Sequence, residues 1–180
     1  MRARSSETWS GELCVAQGPR RTSDGDAGVR SLWLTWSLNG LVKLSFAPHV
    51  DDAHRRARVP DEFAAPLSMY LSQRPVDFQH VPLDLEGTPF QKRVWRALRG
   101  IPYGACISYA DLAREVGAPR ATRAVGTANG RNPVPVIVPC HRVIRSDGAL
   151  GGYSAGAGYK AWLLRLEGCS FPFSSGKGRC

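Results

Sequence analysis

Apolar and polar positions alternate between Ser31 and Phe46: Leu32, Leu34 and Trp36 are set against Trp33 and Thr35, and after Asn39-Gly40 come Val42, Leu44 and Phe46. A period of two interrupted by Asn-Gly predicts a β-hairpin. Over 61–74 the apolar spacing becomes helical after Pro66, and the chain then runs through an extended, acidic stretch over 76–86. The first thirty residues, which include Gly18-Pro19-Arg20-Arg21-Thr22-Ser23-Asp24-Gly25-Asp26, are polar and turn-rich, so a loose terminus is expected over 1–30.

From Gly87 onward the pattern is helical, with explicit start and stop signals. Thr88-Pro89-Phe90-Gln91 offers an N-cap threonine, proline at the first helical position and glutamine at the third, a capping box. Phe90, Val94 and Leu98 share one face, and Gly100 and Pro102 end the helix. Ser108-Tyr109-Ala110-Asp111 is a second capping box, opening a short helix that buries Leu112 and Val116 and stops at Gly117. Pro119 can open a third helix over about 119–129, basic through Arg120 and Arg123 and thin through Ala121, Ala124, Gly126 and Ala128. Two short helices around a glycine turn, the second rich in arginine, form a helix-turn-helix pattern that also occurs in proteins without nucleic acid. The thinness matters, because a major-groove reader needs long polar side chains to reach base edges. Ala124, Gly126 and Ala128 instead permit close backbone approach, so shape and phosphate contacts would dominate over sequence readout.

The charge distribution supports that reading. The 180 residues carry 24 Lys+Arg and 15 Asp+Glu, a net +9. Residues 88–180 hold fourteen basic and four acidic residues, whereas 51–87 are net negative. Such asymmetry suggests a polyanionic partner, nucleic acid or an anionic membrane surface, against a basic surface that serves solubility alone. After Met1 no uninterrupted apolar run exceeds four residues, too short for a membrane helix of ~20 residues or a signal-peptide core of roughly 7–15. No membrane partner is therefore expected, and nucleic acid is favoured in a cytoplasmic protein, or a nuclear one in a eukaryote. The five cysteines, Cys14, Cys106, Cys140, Cys169 and Cys180, include no C-x-x-C pair, so reduced thiols are expected rather than a disulfide framework or structural zinc.

Asn132-Pro133-Val134-Pro135-Val136-Ile137-Val138-Pro139 leads directly into Cys140-His141-Arg142-Val143. An apolar setting usually means an inert core thiol. Here three prolines disfavour both helix and central strand, which predicts a rigid turn presenting Cys140 beside His141 and between Arg131 and Arg142. Nearby positive charge, or a histidine that takes the proton, would lower the thiol pKa toward neutrality and make a nucleophile. Residues 151–158 form a glycine-rich loop without the spacing of a phosphate cradle. A last helix, 159–167, places Tyr159, Trp162, Leu163 and Leu166 on one face and ends at Gly168. Glu167 in its last turn opposes the helix dipole, and is either a tolerated surface charge or the group that orients a histidine.

The run from Thr88 to Gly168 resembles the O6-alkylguanine-DNA alkyltransferases, direct-reversal DNA repair proteins. Five elements carry the resemblance in order: TPFQ, IPYG, SYADLA, RAVG with NPVPVIVPCHRV, and GGYS followed by KAWLLRLEG. The N-terminal half is similar only loosely, through the hairpin and PLDLEGT. The expected fold is α/β (α+β): a small N-terminal β-hairpin/α subdomain over 31–86, then a mainly helical DNA-binding domain over 87–170 with a helix-turn-helix, and a tail over 171–180.

The resemblance implies single-turnover transfer of an alkyl group from O6-alkylguanine in double-stranded DNA to Cys140, with O4-alkylthymine as a second candidate substrate. His141 would take the thiol proton through a water, Glu167 would orient His141, and Asn132 would brace the turn. Tyr109 would donate to guanine N3, while Ser154 and the Tyr153 loop would contact O6 and close over the base. Arg123 would fill the stack after the nucleotide is flipped out, and Ala124, Gly126 and Thr127 would lie against DNA. Backbone carbonyls near Cys140 and Val143 would read the exocyclic amine. Binding would be largely independent of sequence, by a monomer and without a cofactor. Some relatives hold zinc in the N-terminal half, but here only Cys14, His49, His54 and His80 are available, so no such site and no metal is expected. A relative class has tryptophan in place of the nucleophile, and Cys140 argues against it. Two further readings stand beside alkyl transfer: a DNA-binding module without chemistry, and a Cys-His-Glu hydrolase with an incidental basic surface.

Overall fold

A computed structural model describes residues 7–14, 31–47 and 55–169. His49, His54, Cys180 and the tail over 171–180 lie outside the described residues. Four strands, β1 (Thr8–Cys14), β2 (Ser31–Ser37), β3 (Gly40–Ser45) and β4 (Arg55–Arg56), form a sheet in the order β3-β2-β1-β4, with β4 alone parallel to its neighbour. The alternation in β2 buries Leu32, Leu34 and Trp36, as its period requires, against Phe63, Leu67, Tyr70 and Leu71 of α1 (Asp61–Leu71).

The hairpin is present, but its two-residue turn is Leu38-Asn39, and Gly40 belongs to β3 opposite Ser37. The reason is a third segment. The acidic stretch docks on the free edge of β3, where Leu41 N–H donates to the Pro82 carbonyl and Asp84 N–H to the Leu41 carbonyl, each at 2.9 Å. That approach brings the Pro82 backbone to 2.6 Å from where a Cβ on Gly40 would stand, and Gly40 itself sits at φ +140°. The helix predicted after Pro66 begins at Asp61 and contains the proline. Pro66 is buried with Phe63, Leu67 and Tyr70 at helical spacing, and the ladder bond that it lacks would have gone to exposed Glu62. Strand β1 lies inside the segment expected to be loose. Its centre, Gly11, has no side chain to signal a face, and a Cβ there would meet the Ala57 carbonyl at 2.4 Å.

The second half is α2 (Pro89–Arg99), β5 (Ile107–Ser108), α3 (Tyr109–Glu115), α4 (Thr122–Gly130), β6 (Val143–Ile144) and α5 (Ala157–Leu166). Both capping boxes close with their two reciprocal bonds. The helix-turn-helix is α3 and α4, and the mixed α/β class with a helical second half holds. Helix α4 starts later than Pro119, because Ala121 N–H bonds the Ala118 carbonyl at 2.8 Å and Pro119 takes the second position of that turn. Arg120 therefore lies in the turn. A backbone hydrogen bond joins the sheet to the Cys140 segment directly, Leu44 N–H in β3 donating to the Pro133 carbonyl at 2.9 Å, and Val134, Val136 and Ile137 share the buried cluster of β2 and β3. Among the described residues no helix is long and apolar enough to cross a membrane.

Gly40→Ala should lower stability by about 2–3 kcal/mol, from backbone strain and the collision with Pro82. Equilibrium urea unfolding checks this, and a midpoint within error of wild type would contradict the tight approach.

Candidate active site

The proline-rich approach ends in a single 3-10 turn, Cys140–Arg142, which aims successive side chains differently from a strand. Asn132 closes the approach on itself: its Oδ1 accepts from Val134 N–H at 3.0 Å, and its Nδ2 donates to the Val138 carbonyl at 2.7 Å and to Cys140 Sγ at 3.0 Å. Val136 adopts φ +75° within this loop, a strained conformation for a β-branched residue, held by complete burial.

Behind the thiol lies a buried carboxylate. Glu167 is the C-cap of α5 and is 6% exposed, so it is not a surface charge. Oε1 accepts from His141 Nε2 at 2.8 Å, Tyr70 Oη at 2.6 Å and an Arg142 terminal nitrogen at 2.9 Å; Oε2 accepts from Arg142 Nε at 2.9 Å and Gly104 N–H at 3.0 Å. Burial raises its pKa, but hydrogen bonds and charge from His141 and Arg142 override burial and hold the carboxyl well below its ordinary 4.5.

A carboxylate can only accept, so His141 Nε2 carries the proton and Nδ1 is left with a lone pair. That Nδ1 is buried without a protein partner. Burial, opposed by Glu167, lowers the His141 pKa below 6.5 and keeps the ring neutral at pH 7.

Burial also pushes the Cys140 thiol above its ordinary 9.0, while Asn132, Tyr153 and Lys160 pull the other way. The expectation of a pKa lowered by flanking arginines is thus corrected on both counts. Arg142 turns away to Glu167 and the Ile101 carbonyl, Arg131 is exposed, and the cation that acts on the thiol is Lys160. Lys160 is wholly buried, with Nζ donating to the Val143 carbonyl at 2.6 Å and to the Leu150 carbonyl, and lying 5.7 Å from the Tyr109 ring centre. Burial pushes its pKa down to about 8.

A cavity of about 470 Å³ opens in front of this group, lined by Tyr109, Gly126, Asn129, Gly151, Tyr153 and Ser154 among others. Two lining residues reach Cys140. Asn129 Nδ2 donates to its carbonyl at 3.3 Å, and the Tyr153 hydroxyl is buried beside the sulfur, acting on it electrostatically without an aligned hydrogen bond of its own. Burial, and then Cys140, raise the Tyr109 pKa above 10, so its hydroxyl stays a donor. Arg123, Ala124 and Thr127 are exposed on α4, and Ser154 is exposed at the cavity rim. The Cys140 carbonyl accepts from Asn129 Nδ2 and from Val143 N–H, and the Val143 carbonyl accepts from Lys160 Nζ. A second cavity of about 420 Å³, lined by Phe78, Arg99, Tyr103, Pro139 and Arg142, lies across the Cys140 turn; Cys140 lines neither, but only the first is walled by residues that act on it, Asn129 and Tyr153.

Sequence reasoning missed Tyr70, Gly104, Asn129, Lys160 and the role of Arg142. The last had a signal: an arginine two residues after a candidate nucleophile can fork onto a carboxylate. Tyr70 lies in a helix of the other half of the chain, and nothing local marks it.

Residues 89–169 match the family described as 6-O-methylguanine DNA methyltransferase, DNA binding domain. A Mycobacterium leprae relative named methylated-DNA--protein-cysteine methyltransferase is 52% identical over 147 residues, 79% of this chain and 88% of its own. A relative of the same name from Mycolicibacterium paratuberculosis is 52% identical over 101 residues, 56% of this chain, a match that spans 61% of the relative's length. Among solved structures, Mycobacterium tuberculosis OGT in complex with DNA superposes with TM-score 0.72 at 37% identity, covering 88% of this chain and 91% of that one. The O6-methylguanine-DNA methyltransferase of Pyrococcus kodakaraensis gives TM-score 0.62 at 25% identity, covering 88% and 99%.

Glu167→Gln should cost about 3–5 kcal/mol by stranding buried Arg142. The sign of the pH dependence follows from a carboxyl depressed on folding: its stabilisation is present above pH ~4.5 and is lost as pH falls toward the folded value. Denaturant titrations from pH 3 to 7 should show wild type losing stability on acidification and the variant losing much less. Parallel curves would contradict the buried ionised carboxylate.

Proposed function

The chain belongs to the methylated-DNA--protein-cysteine methyltransferase family, and we propose that it repairs DNA by moving an alkyl group from guanine O6 to Cys140, once per molecule. The observation that carries this reading is a thiol held by Asn132 beside a neutral histidine with a free lone pair, next to a cavity lined by Tyr109 and Tyr153. A volume of about 470 Å³ lies within the ~300–1,000 Å³ usual for small-molecule sites, room for an extruded base.

In the proposed reaction Cys140 Sγ attacks the alkyl carbon, the S–C bond forms and the C–O6 bond breaks. The thiol proton passes through a water to His141 Nδ1, whose other nitrogen is fixed on Glu167. Tyr109 donates toward guanine N3, and Ser154 with the Tyr153 loop stabilises the charge that develops at O6. The guanine gains the proton that the thiol gives up. The product is a thioether, which no base in the site can hydrolyse, so the protein is consumed.

Duplex DNA is the partner in this reading, bound by a monomer chiefly at its phosphates, with little sequence preference. The excess of fourteen basic over four acidic residues in 88–180 supports it. Arg123, exposed near the start of α4, enters the stack where the flipped nucleotide was, offsetting an unstacking cost of a few kcal/mol. Ala124, Gly126 and Thr127 let the helix backbone lie close to the groove. Backbone carbonyls near Cys140 and Val143 select guanine by its exocyclic amine.

Incubation with a duplex carrying radiolabelled O6-methylguanine should place no more than one label per chain on Cys140, and none on Cys140→Ala. Tight lesion binding without label would instead indicate a binding module, and repeated ester or amide turnover a hydrolase. Arg123→Ala should slow repair of duplex by about ten- to a hundredfold while leaving reaction with free O6-benzylguanine nearly unchanged, since a free base needs no flipping. Equal losses on both substrates would remove Arg123 from the flipping step.

A further inference from the structure

Two thiols outside the proposed site face each other. Cys106, half-buried in the segment before β5, has its Sγ 4.0 Å from that of Cys169, which is buried just past the end of α5. The two stretches of backbone are already stitched together around them. Tyr103 Oη donates to the Leu166 carbonyl at 3.0 Å, Gly104 N–H to Glu167 Oε2 at 3.0 Å, and the Cys169 thiol to the Gly104 carbonyl at 3.7 Å. A disulfide needs the sulfurs about 2 Å closer, a distance that side-chain rotation with small adjustment of the adjoining backbone can supply. Gly104 at φ +73° and Gly168 at φ +86° lie two residues before Cys106 and one before Cys169.

We propose that Cys106 and Cys169 are a peroxide-oxidised pair whose disulfide clamps the end of α5 to the strand leading into Tyr109. The oxidant is a hydroperoxide. The more accessible thiol, Cys106, attacks it, giving a sulfenic acid and one molecule of water or alcohol. Cys169 then attacks the sulfenic sulfur; the S–S bond forms, the S–O bond breaks and one water leaves. Two thiols are oxidised and the peroxide is reduced, with no other reactant.

The clamp closes a loop that holds Tyr109, Asn132, Cys140, His141, Arg142, Lys160 and Glu167. It fastens the helix end from which Glu167 reaches its five donors. This pairing uses none of the groups assigned to alkyl transfer, so it stands or falls independently of that reading.

The test treats the full reduced chain with hydrogen peroxide, blocks remaining thiols and maps peptides without reduction. A cross-linked pair containing Cys106 and Cys169, lighter than its parts by two hydrogens, is expected, with Cys140 still found as a blocked thiol. The Tm should rise by about 10 °C and return on addition of dithiothreitol. Cys106→Ser should abolish both effects; because wild-type mapping needs no variant, the outcome does not depend on Cys169→Ser folding. Cys106 recovered as a sulfinic acid, or joined to Cys14, Cys140 or Cys180, overturns the pair. A cross-link without a rise in Tm overturns the clamp.

Discussion

Everything near Cys140 depends on one buried carboxylate. Taking Glu167 out of water costs several kcal/mol, and placing it at a helix C-terminus adds repulsion from the helix dipole. Five donors from three parts of the chain offset this: Tyr70 from α1, Gly104 from the segment before β5, His141 and Arg142 from the Cys140 turn. Each donor is satisfied by the same group, so the turn, the α1 packing and the α5 end cannot move independently. The histidine tautomer follows from the same arrangement, because the acceptor on Nε2 determines which nitrogen has the lone pair. The sheet contributes as well: β3 holds the approach to the turn at Pro133, and α1 supplies a hydroxyl to the carboxylate. The N-terminal half is in this sense part of the site.

What was legible in the sequence was local. Thr88 and Ser108 mark helix starts because the capping box is a contact between residues three apart, and Gly117 marks a stop because its left-handed backbone is a property of one residue. The Pro-stiffened turn at Cys140 was readable for the same reason. Features set by distant neighbours were not. The hairpin turn moved by one residue because Pro82 docks on β3, and α4 began late because Pro119 was needed in the preceding turn. β1 carries a weak pattern of its own and is defined by seven partners in β2. Lys160 is the sharpest case: a lysine in an amphipathic helix normally points to water, and only the carbonyls of Val143 and Leu150 explain its burial. The Glu167 question also could not be settled locally, since its donors span residues 70 to 142.

The resting state of the thiol is informative about the reaction proposed for it. An enzyme that turns over gains from a nucleophile kept as thiolate, and such sites usually depress the pKa. Here burial outweighs Asn132, Tyr153 and Lys160, so Cys140 rests protonated beside a neutral histidine. For a protein consumed by one event, loss of the thiol to an oxidant or stray electrophile is as final as repair. A thiol that ionises only when a base fills the cavity and a water connects it to Nδ1 of His141 is therefore the better arrangement. Lys160, poised with a pKa of about 8, stabilises the thiolate when it forms without enforcing it beforehand. In the proposed reaction charge development is thus deferred to the loaded site, where tyrosine hydroxyls raised above their ordinary pKa would serve as donors to the leaving guanine.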